Sequence, residues 1–259
     1  MYILISNDDG VHAAGIKALT EAALRRGHEV LVCAPSTQCS AMSECLTLGK
    51  PLLLHSLQQT ERVRIYSLDG TPSDCVRIGA ELAEKRIDVC LTGINHGENI
   101  STGIYYSGTV SAAREAAMLY IPAIAVSLAA GGEARGYDAI ADYALKVAET
   151  YAMRPQKRYG VLNINGPKGN PEHWKEPVLC PISTSYFIDG YEKRLSPYGQ
   201  VYFWTAPPKG KPDGLYMEPH AEGTDADMLS KGHITCTYIG ALQEDNASIE
   251  EAFANWDKP

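Results

Sequence analysis

The sequence predicts an α/β fold: a buried, mostly parallel sheet whose strands are joined by helical crossovers, with a β-hairpin arm near the C-terminal end. Three observations carry this reading. Apolar runs without polar alternation recur over residues 2–5, 29–34, 87–92, 121–128 and 160–164, the pattern of strands covered on both faces. Stretches with apolar residues at helical spacing lie between them. Beyond residue 170 the alternation stops, and aromatic-rich, strand-like sequence takes over.

The first strand, over 2–5, runs into Asn7-Asp8-Asp9-Gly10. Residues 15–26 place Ile16, Leu19, Ala23 and Leu24 on one helical face, and Gly27 supplies the stop. The strand over 29–34 completes a βαβ unit, which requires parallel strands and a right-handed crossover. It ends at Pro35 and a small polar loop over 36–43. Short runs at 52–55 and 63–68 read as a hairpin arm beside the sheet. Thr71, Pro72 and Asp74 are an N-cap, a first-position proline and a third-position acid, opening a helix to residue 85. The strand over 87–92 feeds Gly93-Ile94-Asn95-His96-Gly97-Glu98-Asn99, and Ser107-Gly108-Thr109 opens a helix to residue 120. Pro122 stands at the start of the next strand, where a missing N–H is tolerated. A helix over 137–153 and a strand over 160–164 end the alternating part. Runs at 179–187 and 200–205, flanking Ser196-Pro197-Tyr198-Gly199, read as the protruding hairpin arm. A short helix (224–231), a last strand (233–238) and a helical stripe of Ile249, Ala252, Phe253 and Trp256 finish the chain.

Composition narrows the function. A chain of 259 residues suits one α/β domain with an extension. The net charge of −8 argues against a nucleic-acid scaffold or an anionic membrane surface as partner. No run approaches the ~18 apolar residues of a membrane helix, and the N-terminus lacks the features of a cleaved leader. Seven cysteines without a C-x-x-C pair point to small core residues and a reduced, cytoplasmic setting.

The chemistry gathers at strand ends, where open α/β sheets bind ligands. The position that carries a phosphate-cradling glycine motif in dinucleotide-binding proteins here carries Asp8 and Asp9. Each would repel a phosphate by roughly 4 kcal/mol per charge pair at about 4 Å and an effective dielectric near 20. A hard divalent cation removes that conflict. The competing reading makes Asp8 a helix cap and Asp9 a solvated turn residue. A hydroxyl of the 36–43 loop and the neutral oxygen of Asn95 reach the same sheet edge. Ser107-Gly108-Thr109 is either an ordinary cap or an anion cradle. His96 is an acid/base candidate on a loop, where a histidine is more often incidental. A cysteine phosphatase is excluded: six residues beyond Cys39 and Cys75 stand Cys45 and Glu81 rather than arginine.

The combination of I-L-I-S-N-D-D-G, A-P-S-T-Q-C-S, G-T-P-S-D-C-V, G-I-N-H-G-E-N and Y-S-G-T-V-S-A-A-R-E-A resembles the SurE family of stationary-phase survival proteins, which are metal-dependent nucleotidases. The resemblance runs to residue 239. It implies a Rossmann-like three-layer αβα sandwich with a C-terminal hairpin extension, residues 1–170 forming the core. The hairpin arm and oligomerisation elements then occupy 171–259 of a single domain. It implies one divalent ion per subunit, Mg²⁺ or Mn²⁺, held by Asp8, Asp9, Ser40 and Asn95. Asp8 and Asp9 are then also the catalytic residues, with phosphate contacts from Asn99, Ser107, Gly108 and Thr109. The implied activity is hydrolysis of nucleoside monophosphates at the 5′ or 3′ position, as a nucleotidase or acid phosphatase with a side activity on polyphosphate, in a homodimer or homotetramer. The alternative is a non-catalytic nucleotide- or phosphate-binding regulator on the same fold. The sequence departs from the family at Thr37-Gln38-Cys39 (commonly basic), at Ala41 (often glycine), at Ser196 (commonly aspartate) and at Thr237-Tyr238-Ile239.

Overall fold

The computed structural model describes residues 1–153, 160–188, 190–207 and 216–240; the stripe from Ile249 to Trp256 lies outside them. The chain begins β1 (Tyr2–Ser6), α1 (Ala14–Arg25), β2 (Glu29–Pro35), β3 (Leu54–Gln59), β4 (Val63–Leu68), α2 (Pro72–Glu81) and β5 (Val89–His96). It continues with α3 (Gly108–Met118), β6 (Ala123–Leu128), α4 (Ala134–Tyr151), β7 (Gly160–Gly166) and β8 (Lys175–Leu179). The last part holds β9 (Phe187–Ile188), β10 (Gly190–Leu195), β11 (Val201–Ala206), β12 (Tyr216–Met217), α5 (Asp225–Ser230) and β13 (His233–Gly240).

Nine strands form one sheet in the order β3-β4-β2-β1-β5-β6-β7-β13-β8. The six from β4 to β7 run parallel, as the βαβ reading requires. β1 lies where the order reverses: β2 continues it to one side and β5 to the other. That is the topological switch point at which α/β folds bind ligands.

Alternation along β1 explains the three layers. Ile3 and Ile5 join Ile16 and Leu19 of α1 and Ile140 and Leu145 of α4 in one core. Tyr2 and Leu4 join Val76 of α2 and Val110 and Ala113 of α3 in the other. A strand with both faces buried therefore needs apolar side chains at every position, which is why the sequence shows no alternation there. The N-cap reading at α2 holds in detail. The Thr71 hydroxyl accepts the Asp74 amide at 3.1 Å, and the Asp74 carboxylate accepts the Thr71 amide at 3.0 Å, closing a reciprocal capping box.

Several boundaries differ from expectation: α2 ends at Glu81 rather than residue 85, β6 starts at Ala123 just past Pro122, α4 runs Ala134–Tyr151 rather than 137–153, and two further differences change the strand assignment. The run at 52–68 is no separate arm: β4 pairs parallel with β2 and antiparallel with β3, which closes that edge of the main sheet. The hairpin arm is β10 with β11, in register from Gly190 opposite Ala206 to Leu195 opposite Val201. Residues 180–186 form no strand because side chains replace the ladder. The Ser183 amide donates to Asp225 at 2.8 Å, and the Ser185 amide to the Ser183 hydroxyl at 3.1 Å.

α1 packs on β5 through Gly15, where an added Cβ would lie 1.9 Å from the Ile94 carbonyl oxygen. No rotamer relieves a collision with backbone, so Gly15→Ala should lower stability by about 3 kcal/mol, the upper end of overpacking costs. Gly49→Ala, with nothing within 4 Å, should stay within about 0.5 kcal/mol. Urea unfolding midpoints of the two variants test the contrast.

Candidate active site

The end of β1 turns sharply. The Asn7 side chain donates to the Gly10 carbonyl at 2.9 Å, and Gly10 takes φ of +98°, a conformation that glycine adopts without steric cost. The turn leaves Asp8 only 4% exposed and Asp9 half-buried. α1 starts beyond it, preceded by extended Ala13 with no side-chain cap. Asp8 therefore does not cap that helix. Its carboxylate instead accepts the Thr109 hydroxyl in the first turn of α3. Gly108 makes this approach possible, since a Cβ there would lie 2.8 Å from the Asp8 Cβ and 2.9 Å from Oδ2.

The neighbouring strand ends are tied to the same turn. Val11 donates its amide to the Pro35 carbonyl at 2.9 Å, and Cys39 donates its own to the Asp8 carbonyl at 2.7 Å, holding the loop after β2 against β1. From that loop the Gln38 carboxamide donates to Asp9 Oδ1 at 3.4 Å and to Ser40 Oγ at 3.0 Å. On the other side β5 carries a bulge between Thr92 and Asn95, of the kind that re-aims a strand end beside a site. Asn95 donates Nδ2 to the Gly97 carbonyl at 2.8 Å, which leaves Oδ1 as the atom it could offer a cation. The His96 amide donates to Asp9 Oδ2 at 2.9 Å. Asp9 thus joins all three strand ends, and the structure gathers Asp8, Asp9, Ser40 and Asn95 along β2, β1 and β5.

The phosphate-contacting candidates divide. Ser107 caps α3, its hydroxyl accepting the Val110 amide at 3.0 Å, and the Thr109 hydroxyl is committed to Asp8. What the helix start leaves for an anion is therefore the Gly108 amide and the Ser107 O–H, whose oxygen alone serves as the cap, since the Thr109 amide as well as its hydroxyl is turned to the Asp8 carboxylate. Asn99 is tied elsewhere. Its carboxamide donates to Ser127 Oγ at 2.9 Å, its amide donates to Asn165 Oδ1 at 2.8 Å, and its carbonyl accepts from Asn163 at 2.8 Å. This buried network anchors the loop after β5 to β6 and β7. The sequence reads Asn165-Gly166-Pro167 as a turn after the strand; the anchoring role of Asn163 and Asn165 comes with the structure, and two asparagines at i and i+2 in a buried strand are the signal for it.

Burial pushes the Asp8 carboxyl up to about 6, opposed by the Thr109 hydroxyl and reinforced by the charge of Asp9. Among the described residues no lysine or arginine forms an ion pair with either acid. No group of three His, Cys, Asp or Glu side chains is placed among them to hold a metal. The set here is two carboxylates with a hydroxyl and a carboxamide, all hard oxygen donors. A buried, unpaired carboxylate beside a second one fits a hard divalent cation. The Cys39 thiol is pushed up by burial and by Asp8 and Asp69, away from the thiolate form that a nucleophile needs. Beside this centre lies a cavity of about 590 Å³, lined by His96, Glu98, Tyr106, Tyr186, Phe187 and Tyr191 among others.

The family model described as survival protein SurE matches residues 3–189. The 5′-nucleotidase SurE of Caldanaerobacter subterraneus subsp. tengcongensis is 37% identical over 245 residues, covering 92% of this chain and 90% of that protein. The 5′-nucleotidase SurE of Geobacter sulfurreducens is 37% identical over 258 residues, covering 99% and 94%. The crystal structure of the SurE protein from Aquifex aeolicus superposes with a TM-score of 0.79 at 28% identity over the whole of both chains. With the three-layer fold and the matched motifs at one sheet edge, these similarities establish that the chain belongs to the SurE family.

Proposed function

We propose that this chain is a divalent-metal-dependent phosphomonoesterase that hydrolyses nucleoside monophosphates to nucleoside and phosphate, with short polyphosphate as a secondary substrate. The observation that carries the reading is the Asp8 carboxylate, buried beside Asp9 without a cationic partner and set against an amide-bearing helix start. The relatives named 5′-nucleotidase SurE, which span nearly the full chain, support it. A divalent cation held by Asp8, Asp9, Ser40 and Asn95 supplies Lewis acidity toward phosphoryl oxygens and lowers the pKa of the attacking water.

The chain's own residues supply the rest. The Gly108 amide and the Ser107 hydroxyl donate to the equatorial phosphoryl oxygens as charge builds on them. The Thr109 hydroxyl fixes the Asp8 carboxylate, and the His96 amide and Gln38 carboxamide fix that of Asp9. Asp9, the more exposed acid, orients the water. Water adds to phosphorus as the bond to the nucleoside oxygen breaks, and the departing oxygen takes up a proton.

The functional unit in this proposal is a homodimer or homotetramer. Tyr202, Phe203 and Trp204 follow one another in β11 and are all exposed. Successive strand residues face opposite ways, so both faces of the hairpin present aromatic surface. A two-stranded ribbon of that kind is marginal without cover, and a second copy provides it.

Asp8→Asn should lower phosphate release by on the order of 10³-fold while the circular dichroism spectrum and cooperative unfolding persist. A fully active variant would falsify the placement of the centre. In the wild type, EDTA should abolish release and Mg²⁺ or Mn²⁺ restore it; tight nucleotide binding without release under any metal would favour the regulator. The folded pKa of Asp8 lies above its unfolded value, so its protonated form stabilises the metal-free fold at low pH. That contribution, about 3 kcal/mol, is lost as pH rises from about 4 through about 6. Thermal unfolding should show Asp8→Asn removing this dependence and Mn²⁺ raising the wild-type Tm more at pH 7.5 than at 5.5. Phe203→Glu with Trp204→Glu should lower the solution mass measured by light scattering, and an unchanged mass would count against the hairpin as the contact.

A further inference from the structure

The cavity beside the centre is walled by residues that follow directly on the site residues. Ala41 follows Ser40, His96 follows Asn95, and Tyr106 precedes Ser107, all lining the same space. An ester whose phosphate rests at the start of α3 therefore has its organic part directed into this cavity. About 590 Å³ lies within the range of small-molecule sites. The aromatic residues Tyr106, Tyr186, Phe187 and Tyr191 line it, and aromatic rings bind nucleobases of any kind by stacking. Phe187 is held firmly, with its ring edge packed where a side chain on Gly103 would stand, 2.8 Å from an added Cβ.

The cavity also holds one carboxylate. Glu98 Oε2 accepts the Ala130 amide at 3.0 Å, which holds one carboxylate oxygen in place while Oε1 and a second lone pair of Oε2 stay available. A fixed carboxylate among aromatic walls selects a base edge with two adjacent N–H donors. Guanine presents N1–H and N2–H₂ side by side. Adenine and cytosine place a ring-nitrogen acceptor beside their single amino donor, so the acceptor would face a carboxylate oxygen; uracil offers one donor between two acceptors.

From this we infer that the cavity is a nucleobase site with a preference for guanine, read by Glu98 between aromatic walls. The inference rests on the nucleotidase reading for the phosphate and goes beyond it for the base. Binding of guanosine, which lacks the phosphate, tests the cavity separately from turnover. Titration calorimetry should show guanosine binding the full-length protein about tenfold more tightly than adenosine, with Glu98→Gln erasing the difference and Phe187→Ala weakening both nucleosides. In turnover, the ratio of kcat/KM for GMP to that for ribose 5-phosphate should fall about tenfold in Glu98→Gln. Equal binding of the two nucleosides by the wild type, or a Glu98→Gln variant that keeps the preference, overturns the inference. Guanosine binding with these properties but no phosphate release from any ester upholds the base site and overturns the nucleotidase reading.

Discussion

The structure turns on a buried carboxylate placed against a helix start. Asp8 ends the strand at the middle of the sheet, and α3 comes close enough for Thr109 to hydrogen-bond it only because residue 108 has no side chain. Putting an anion there with no cationic partner among the described residues is unfavourable, and burial accordingly raises its pKa. The same unfavourable charge is what gives a cation a reason to bind. The helix amides a residue away give a phosphate its own reason to come close. One contact between β1 and α3 thus sets a buried carboxylate beside a helix start.

The surrounding contacts keep that arrangement from relaxing. Asp9 is bonded by the β5 backbone and by Gln38 of the loop after β2. The Cys39 and Val11 amides fasten that loop to the β1 turn. Asn99 locks the loop beyond β5 to Ser127 of β6 and to Asn163 and Asn165 of β7. Most of these are backbone donors or carboxamides rather than charges, so they restrain the ligand set without neutralising it.

Much of this was legible in the residues. Unalternating apolar runs gave the parallel strands, Thr71-Pro72-Ser73-Asp74 gave a capped helix, and paired acids at a strand end marked the centre. What was not legible depends on contacts between residues far apart in the chain. Gly108 is an ordinary small residue until Asp8 is seen beneath it, 100 positions earlier. Gln38 counted only as a departure from a basic position, and its bridge between Asp9 and Ser40 needs the folded loop. Residues 180–186 have strand-like composition, but serine hydroxyls and Asp225 take their amides. The hydroxyls of Ser107 and Thr109 look equally free to bind an anion in the sequence, and the fold commits the proton of Thr109 alone, to Asp8.

The two-sided burial of β1 has a consequence for how the sequence can vary. Odd positions feed the core under α1 and α4, and even positions the core under α2 and α3. Aliphatic side chains of similar size can exchange at any of these positions with modest cost. Insertion or deletion of a single residue between Tyr2 and Asp8 is another matter, because it would swap the contents of the two cores. It would also rotate the carboxylate away from Gly108 and toward the opposite layer. The strand is therefore tolerant in composition and intolerant in length, and reading-frame-preserving indels should be absent from functional variants of this segment, whatever its hydrophobic spelling.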